Sequence, residues 1–200
     1  MVQAEDLERL TESIHHQGVC VLAREPEPCR YADLLEAIRG EAAPTMIAYL
    51  DGVENPHNLG AILRTCAHFG IRHVLGAQER LPRLSPSACR VAEGGAEEVA
   101  LIPLDQPHKA LKQLQRLGYT LVGTAAHQGG SLYKHHFGER TVLIMGAESS
   151  GVSEPVFDAA DILLRIPGTG TVDSLNVSVA FAVVAAEHYR QRITAARHKG

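Results

Sequence analysis

From residue 45 onward, short apolar runs alternate with amphipathic stretches at a spacing that leaves few folds open. TMIAYL (45–50), HVLGA (73–77), EVALI (98–102), YTLVGTA (119–125), TVLIMG (141–146) and DILLRI (161–166) each have the length and composition of a strand. Helical patterns lie between them. Asn58 is placed to cap a helix carrying Ile62, Leu63, Cys66, Ala67 and Phe69. Residues 86–92 and 107–117 form two more, and Ser153 is placed to cap a short helix running to 159. This alternation predicts an α/β fold, a mostly parallel sheet with helices on both faces. The longest predicted helix spans 176–196. Its first half, VSVAFAVVAA (177–186), is apolar nearly all round, so something must cover it, a twin subunit among the candidates.

The first 44 residues are different. Residues 4–14 predict a short helix with Leu7, Leu10 and Ile14 on one stripe, VCVLA (19–23) a strand, REPEP (24–28) a polar turn and 31–39 a second helix. They carry too few apolar residues for a core of their own, so 1–44 reads as a lead-in and 45–200 as the main domain.

Charge removes some function classes. Nineteen basic against 23 acidic residues give a net charge of −4, which excludes a uniformly basic nucleic-acid coat but not a local patch. Aromatic residues are only 4%, with no Trp, so base stacking on an aromatic platform is a poor expectation. Cys20, Cys29, Cys66 and Cys89 lack C-x-x-C spacing and the 11 histidines are scattered, so no metal site is expected. No apolar run approaches eighteen residues and the N-terminus is polar and acidic, so no membrane segment or secretory signal is expected, and a reduced cytoplasmic setting is.

Ligands of open parallel sheets usually bind at the carboxyl ends of strands, and three loops predicted there are rich in Gly, Asn, Ser and Glu. In the first, DGVENPHNLG (51–60), Pro56 stiffens the turn, and Arg64 follows in the second turn of the helix. An Arg near the positive end of a helix does not complement the dipole, so a carboxylate or a bound phosphate would give it a purpose. A surface salt bridge for Arg64 and a plain cap for Asn58 are the ordinary alternatives. The second loop, GAESSG (146–151), brackets Glu148 between glycines but is neither a dinucleotide fingerprint nor a Walker A loop. In the third, PGTGTVDSLN (167–176), two glycines precede Ser174 and Asn176 just before the apolar helix. Such a loop suits an uncharged ring and a carboxylate better than a triphosphate, although capping by Ser174 or Asn176 would also account for it.

Taken in order, NPHNLGAILRTCAHFG, IMGAESSGVSEPVF and IPGTGTVDSLNVSVAFAVVAAEHY resemble the three motifs of the SpoU/TrmH branch of the SPOUT methyltransferases, over residues 46–189. The resemblance implies an enzyme that transfers a methyl group from S-adenosylmethionine to a ribose 2′-hydroxyl of structured rRNA or tRNA. It also implies a C-terminal deep trefoil knot, which strand statistics alone would reject, and a homodimer through the knot region and terminal helix. Catalytic expectations fall on Asn58, Arg64, Glu148, Ser174 and Asn176. Arg64 would stabilise the RNA phosphate and developing alkoxide, Glu148 would fix its fork, Asn58 would hold the ribose or orient Arg64, Ser174 and Asn176 would position substrate and cofactor groups, and His57 is a further candidate substrate contact. Cofactor binding is expected at Thr124, Ala125, Gly146, Glu148, Gly151, Ile166, Pro167, Gly170, Ser174 and Leu175. No metal is required, because the methyl donor carries the activated group.

Three positions depart from the common pattern: Asn55 where Asp is frequent, Ala92 where Ser is usual, and Gly168 where Met commonly follows Ile-Pro. SIHHQGVCVLA (13–23) resembles the junction after an RNA-binding domain found in many relatives, so 1–44 is expected to be a remnant of that domain or a linker, with rRNA slightly favoured as substrate. The alternatives are a catalytically weak RNA-binding or assembly protein that keeps the fold, and a different cofactor-binding enzyme such as a dehydrogenase, which would lack its fingerprint.

Overall fold

Residues 3–11, 14, 16, 18–20, 29–40, 45–147 and 151–197 are described by a computed structural model. Helices α1 (Ala4–Thr11) and α2 (Tyr31–Arg39) precede β1 (Met46–Asp51), α3 (Pro56–Phe69), β2 (His73–Ala77), α4 (Pro86–Ala92), α5 (Gly95–Glu98), β3 (Ala100–Leu104) and α6 (Pro107–Arg116). The chain continues through β4 (Thr120–Thr124), β5 (Gly130–Ser131), a 3-10 turn (Leu132–Lys134), β6 (Thr141–Gly146), α7 (Glu154–Phe157), β7 (Ile162–Arg165) and α8 (Val177–Arg197). Among the described residues the seven strands form one sheet in the order β3-β2-β1-β6-β4-β7-β5, and every pairing is parallel.

The pleat divides the strand residues between two cores. Met46, Ala48 and Leu50 join Leu59, Ile62, Leu63 and Cys66 of α3 and Phe181, Val184 and Ala185 of α8 on one face. Ile47 and Tyr49 join Leu34 and Ile38 of α2 and Leu111 and Leu114 of α6 on the other. Both faces of β1 are therefore buried, which is why it reads as a continuous apolar run. Helix α2 contributes directly to the second core, although it lies within the lead-in.

The β4–β5 connection is unusual. Thr124 and Gly130 both stand opposite Leu164, on either side of β7, so residues 125–129 stride across that strand. A side chain at Gly129 would collide with the Leu163 carbonyl, so only glycine allows the crossing chain to lie so close.

Several sequence expectations shift. The N-cap of α3 is Asn55, whose side chain accepts from the His57 N–H at 2.8 Å, with Pro56 opening the helix. Asn58 is therefore inside α3 and is not its cap; Pro at the first helical position favours Asn55 instead. The strand expected at 98–102 runs from Ala100 to Leu104, because Glu98 closes α5. The first helix stops at Thr11, short of residue 14. Val19 and Cys20 lie in no strand, and 21–23 and the 24–28 turn fall outside the described residues. Ser153 holds the N-cap position of α7, but its side chain makes no capping bond, and the helix ends at Phe157.

Phe181 is fully buried between α8 and the sheet. Phe181→Ala should lower stability by about 3–5 kcal/mol, read from the urea midpoint; a loss below about 1 kcal/mol would contradict this packing.

Candidate active site

Because the strands run the same way, β1, β6, β4 and β7 end side by side at Asp51, Gly146, Thr124 and Arg165. Four adjacent strands cover only about 14 Å across a sheet. The loops that leave them are the glycine-rich segments expected to carry function and the 125–129 crossing.

The first and third loops meet directly. Asn176 donates from Nδ2 to Asn58 Oδ1 at 3.0 Å across 118 residues of sequence. The Asn176 side chain also caps α8, its Oδ1 accepting from the Ser178 N–H at 2.9 Å and the Ser178 hydroxyl at 2.6 Å. One side chain thus caps α8 and ties the third loop to the first. Ser174 is exposed and Leu175 is 44% exposed, while Ile166 and Pro167 are half-buried where the loop leaves β7 and Gly170 turns it at φ 83°. Residues 168–176 are all exposed, which leaves their surfaces open to a ligand.

The second loop is pinched at its base. Ala147 and Gly151 form an antiparallel bridge with reciprocal bonds of 3.0 and 2.8 Å. A side chain at Gly146 would strike the backbone of Gly151 and Val152, so glycine is required for the two arms to close. Glu148 falls outside the described residues. Beside this loop, Thr124 donates from its hydroxyl to the Ile144 carbonyl at 3.3 Å, and the Ala125 N–H donates to the Leu164 carbonyl at 2.9 Å.

Arg64 sits apart from these contacts. It is exposed and pairs with Glu93 at 2.9 Å, at the turn between α4 and α5. Six helical residues carry it about 120° around α3 from Asn58. The described partner of Arg64 is Glu93, and the expected pairing with Glu148 lies outside the described residues. Glu93 adopts a left-handed backbone with φ 44°, and the backbone of Gly95 packs against that of Arg64.

A further cluster escaped the sequence reading. Asp51, 3% exposed at the end of β1, accepts from the Ser153 backbone N–H and meets Arg80 Nη1 at 3.4 Å. Glu54 lies 3.8 Å from Arg80 Nε. Burial, reinforced by the Asp51 carboxylate, pushes the neighbouring Tyr49 phenol up to about 12. A lone Asp before Gly in a strand-to-helix turn gives no local signal of a partner 102 residues away. Among the described residues, no three His, Cys, Asp or Glu side chains could hold a metal ion, and no helix is long and apolar enough to cross a membrane.

If Asn176 caps α8 and also holds Asn58, Asn176→Ala should cost about 1–2 kcal/mol of stability. Asn58→Ala, which breaks the link and leaves the α8 cap in place, should cost less, about 1 kcal/mol. Thermal unfolding compared between the two variants checks the order; equal losses would contradict it.

The SpoU rRNA Methylase family model matches residues 45–186. The chain is 35% identical to the uncharacterized tRNA/rRNA methyltransferase YfiF of Escherichia coli O157:H7, over 96% of this chain but about half (54%) of that protein's length. It is 38% identical to the 23S rRNA (guanosine-2′-O-)-methyltransferase RlmB of Pseudomonas aeruginosa, over 94% of this chain and 75% of that protein. The crystal structure of the SpoU methyltransferase AviRb from Streptomyces viridochromogenes with the cofactor AdoMet superposes with a TM-score of 0.68 at 25% identity, covering 80% of this chain and 65% of that one. With the parallel α/β sheet and the loops at its carboxyl edge already in place, these likenesses settle the kinship: the chain belongs to the SpoU/TrmH family of RNA 2′-O-ribose methyltransferases.

Proposed function

We infer that this protein transfers a methyl group from S-adenosylmethionine to a ribose 2′-hydroxyl of RNA. The observation that carries this reading is the meeting of the first and third glycine-rich loops at Asn58 and Asn176, beside the pinched second loop. The name of the RlmB relative favours rRNA as the substrate class.

The residues fit the donor. The narrow neck at Gly146 and Gly151 and the exposed loop at 168–176 would together shape a site for an adenine, a ribose and an amino-acid carboxylate. Thr124, Ala125, Ile166, Pro167, Gly170, Ser174 and Leu175 would line the same pocket, with Glu148 from the second loop. When bound, S-adenosylmethionine supplies a methyl group already activated by a positive sulfonium.

The chain's own work is alignment and charge. Asn58, held by Asn176, orients the ribose hydroxyl, and Ser174 borders it. Arg64 stabilises the phosphate and the developing alkoxide. A guanidinium is suited to electrostatic support rather than proton abstraction. The Glu93 ion pair is solvent-exposed, and such pairs contribute roughly 0–1 kcal/mol, so RNA phosphate can displace it at little cost.

The strand-crossing segment 125–129 supports a C-terminal trefoil knot, through which the chain after β7 would pass. An apolar groove between α3 and α8, lined by Ala61, Thr65, Phe69, Val179, Ala182 and Ala186, supports a homodimer. Val179, Tyr189 and Ile193 remain more than 40% exposed along α8, and a second copy would cover them. In this arrangement α3, and Arg64 with it, lies beside the junction between copies. Residues 1–44 serve as a lead-in to the methyl-transfer unit. A cytoplasmic setting accords with Cys20, Cys29, Cys66 and Cys89 all being free thiols.

Labelled S-adenosylmethionine incubated with rRNA and this protein should leave label on ribose 2′-oxygens. Arg64→Ala should reduce incorporation at least about 100-fold while calorimetric affinity for S-adenosylmethionine changes less than about threefold; equal loss of both would contradict this division of roles. Ala182→Glu should shift the sedimenting species from dimer to monomer, and an unchanged species would contradict the proposed interface.

A further inference from the structure

The second glycine loop is held at both feet by one residue. Asp51 pairs with Gly146 in the β1–β6 register, and its carbonyl accepts from the Ala147 N–H at 3.0 Å where the loop begins. Its carboxylate accepts from the Ser153 N–H just after the loop closes. The Ala147–Gly151 bridge then draws the two arms together between these anchors. Strand register alone would fix the entry and leave the exit free.

The carboxylate is buried, and a buried charge is costly unless it is paired and hydrogen-bonded. Arg80 supplies the pairing from the turn after β2, where its own N–H donates to the Ala77 carbonyl at 2.9 Å. A side chain at Gly52, which has φ 76°, would overlap the Arg80 guanidinium. Glycine therefore leaves room for the arginine over the end of β1. The arginine is part exposed and the aspartate is not, with side-chain exposures of 40% and 4%. Two segments distant in sequence from β1 thus converge on the Asp51 carboxylate.

We propose that Asp51 is a positioning residue for methyl-donor binding: by gripping Ala147 through its carbonyl and Ser153 through its carboxylate, with Arg80 as counter-ion, it fixes how the arms at 146–147 and 151–153 meet. This rests on the reading of that loop as part of the S-adenosylmethionine pocket. Asp51→Asn keeps the shape and an acceptor oxygen but removes the charge that both Arg80 and the Ser153 N–H meet. A loop held less firmly loses pre-organisation, which weakens ligand binding more than it changes the reacting groups.

Two readouts test this on the full chain. Asp51→Asn should speed hydrogen exchange at the Ser153 amide at least about tenfold, while amides of β2 and α6 keep their protection. It should also raise the dissociation constant and KM for S-adenosylmethionine about tenfold, with kcat at saturating donor falling less than about threefold. Arg80→Gln, at a part-exposed site where folding is less at risk, should weaken donor binding in the same direction by about threefold, and Arg80→Lys should recover most of it. A folded Asp51→Asn chain with wild-type donor affinity, or wild-type exchange at Ser153, would overturn the proposal, as would unchanged affinity in Arg80→Gln. Failure of the wild-type chain to bind S-adenosylmethionine would overturn the functional reading itself, and is distinguished because it shows before any variant is compared.

Discussion

Parallel strands cannot be joined by tight turns, so nearly every connection in this sheet must cross from one edge to the other. The carboxyl ends then collect on a single edge, and with them the loops that chain order keeps far apart. Here β1, β6, β4 and β7 are neighbours, although 114 residues separate the end of β1 from the end of β7. Once that strand order is set, the segments around 51–60, 146–151 and 167–176 need only short reaches to meet. Burial on both faces fixes the register, because a one-residue slip would exchange the two cores.

Few polar contacts finish the arrangement, and they are placed where the sheet has no more to specify. Asn176 ends the third loop, starts α8 and holds Asn58. Asp51 ends β1 and holds both feet of the second loop. In each case one side chain joins a secondary-structure terminus to a loop from elsewhere in the sequence. Such contacts add modestly to global stability, about 1 kcal/mol each, yet they decide the shape of the edge on which a ligand would sit.

The elements that sequence resolved best are those whose signal is local. Strands at 73–77 and 141–146 and the helix at 86–92 have the boundaries that their apolar runs and flanking Pro or Gly indicate. Strand β5 was invisible because Gly130 and Ser131 have no pattern of their own and become a strand only by pairing with β7. The Asn58 cap failed for a readable reason: Asn55 followed by Pro56 is the stronger start signal. The cap at Asn176 was legible because glycines, Ser and Asn crowd the turn before an apolar helix. The Arg64–Glu93 and Asp51–Ser153 pairs were not, since 29 and 102 residues separate the partners and each residue alone looks like an ordinary charged turn or helix surface. The resemblance to a methyltransferase family supplied what periodicity could not, namely the expectation that the three loops serve one ligand.

The most direct measurement of the central claim is amide chemical-shift mapping of this 200-residue chain as S-adenosylmethionine is added. Perturbations should concentrate at Thr124–Ala125, at Gly146–Gly151 and across 166–176, saturating together with one dissociation constant. Perturbations confined to one loop, or centred at the amino ends of the strands, would contradict it.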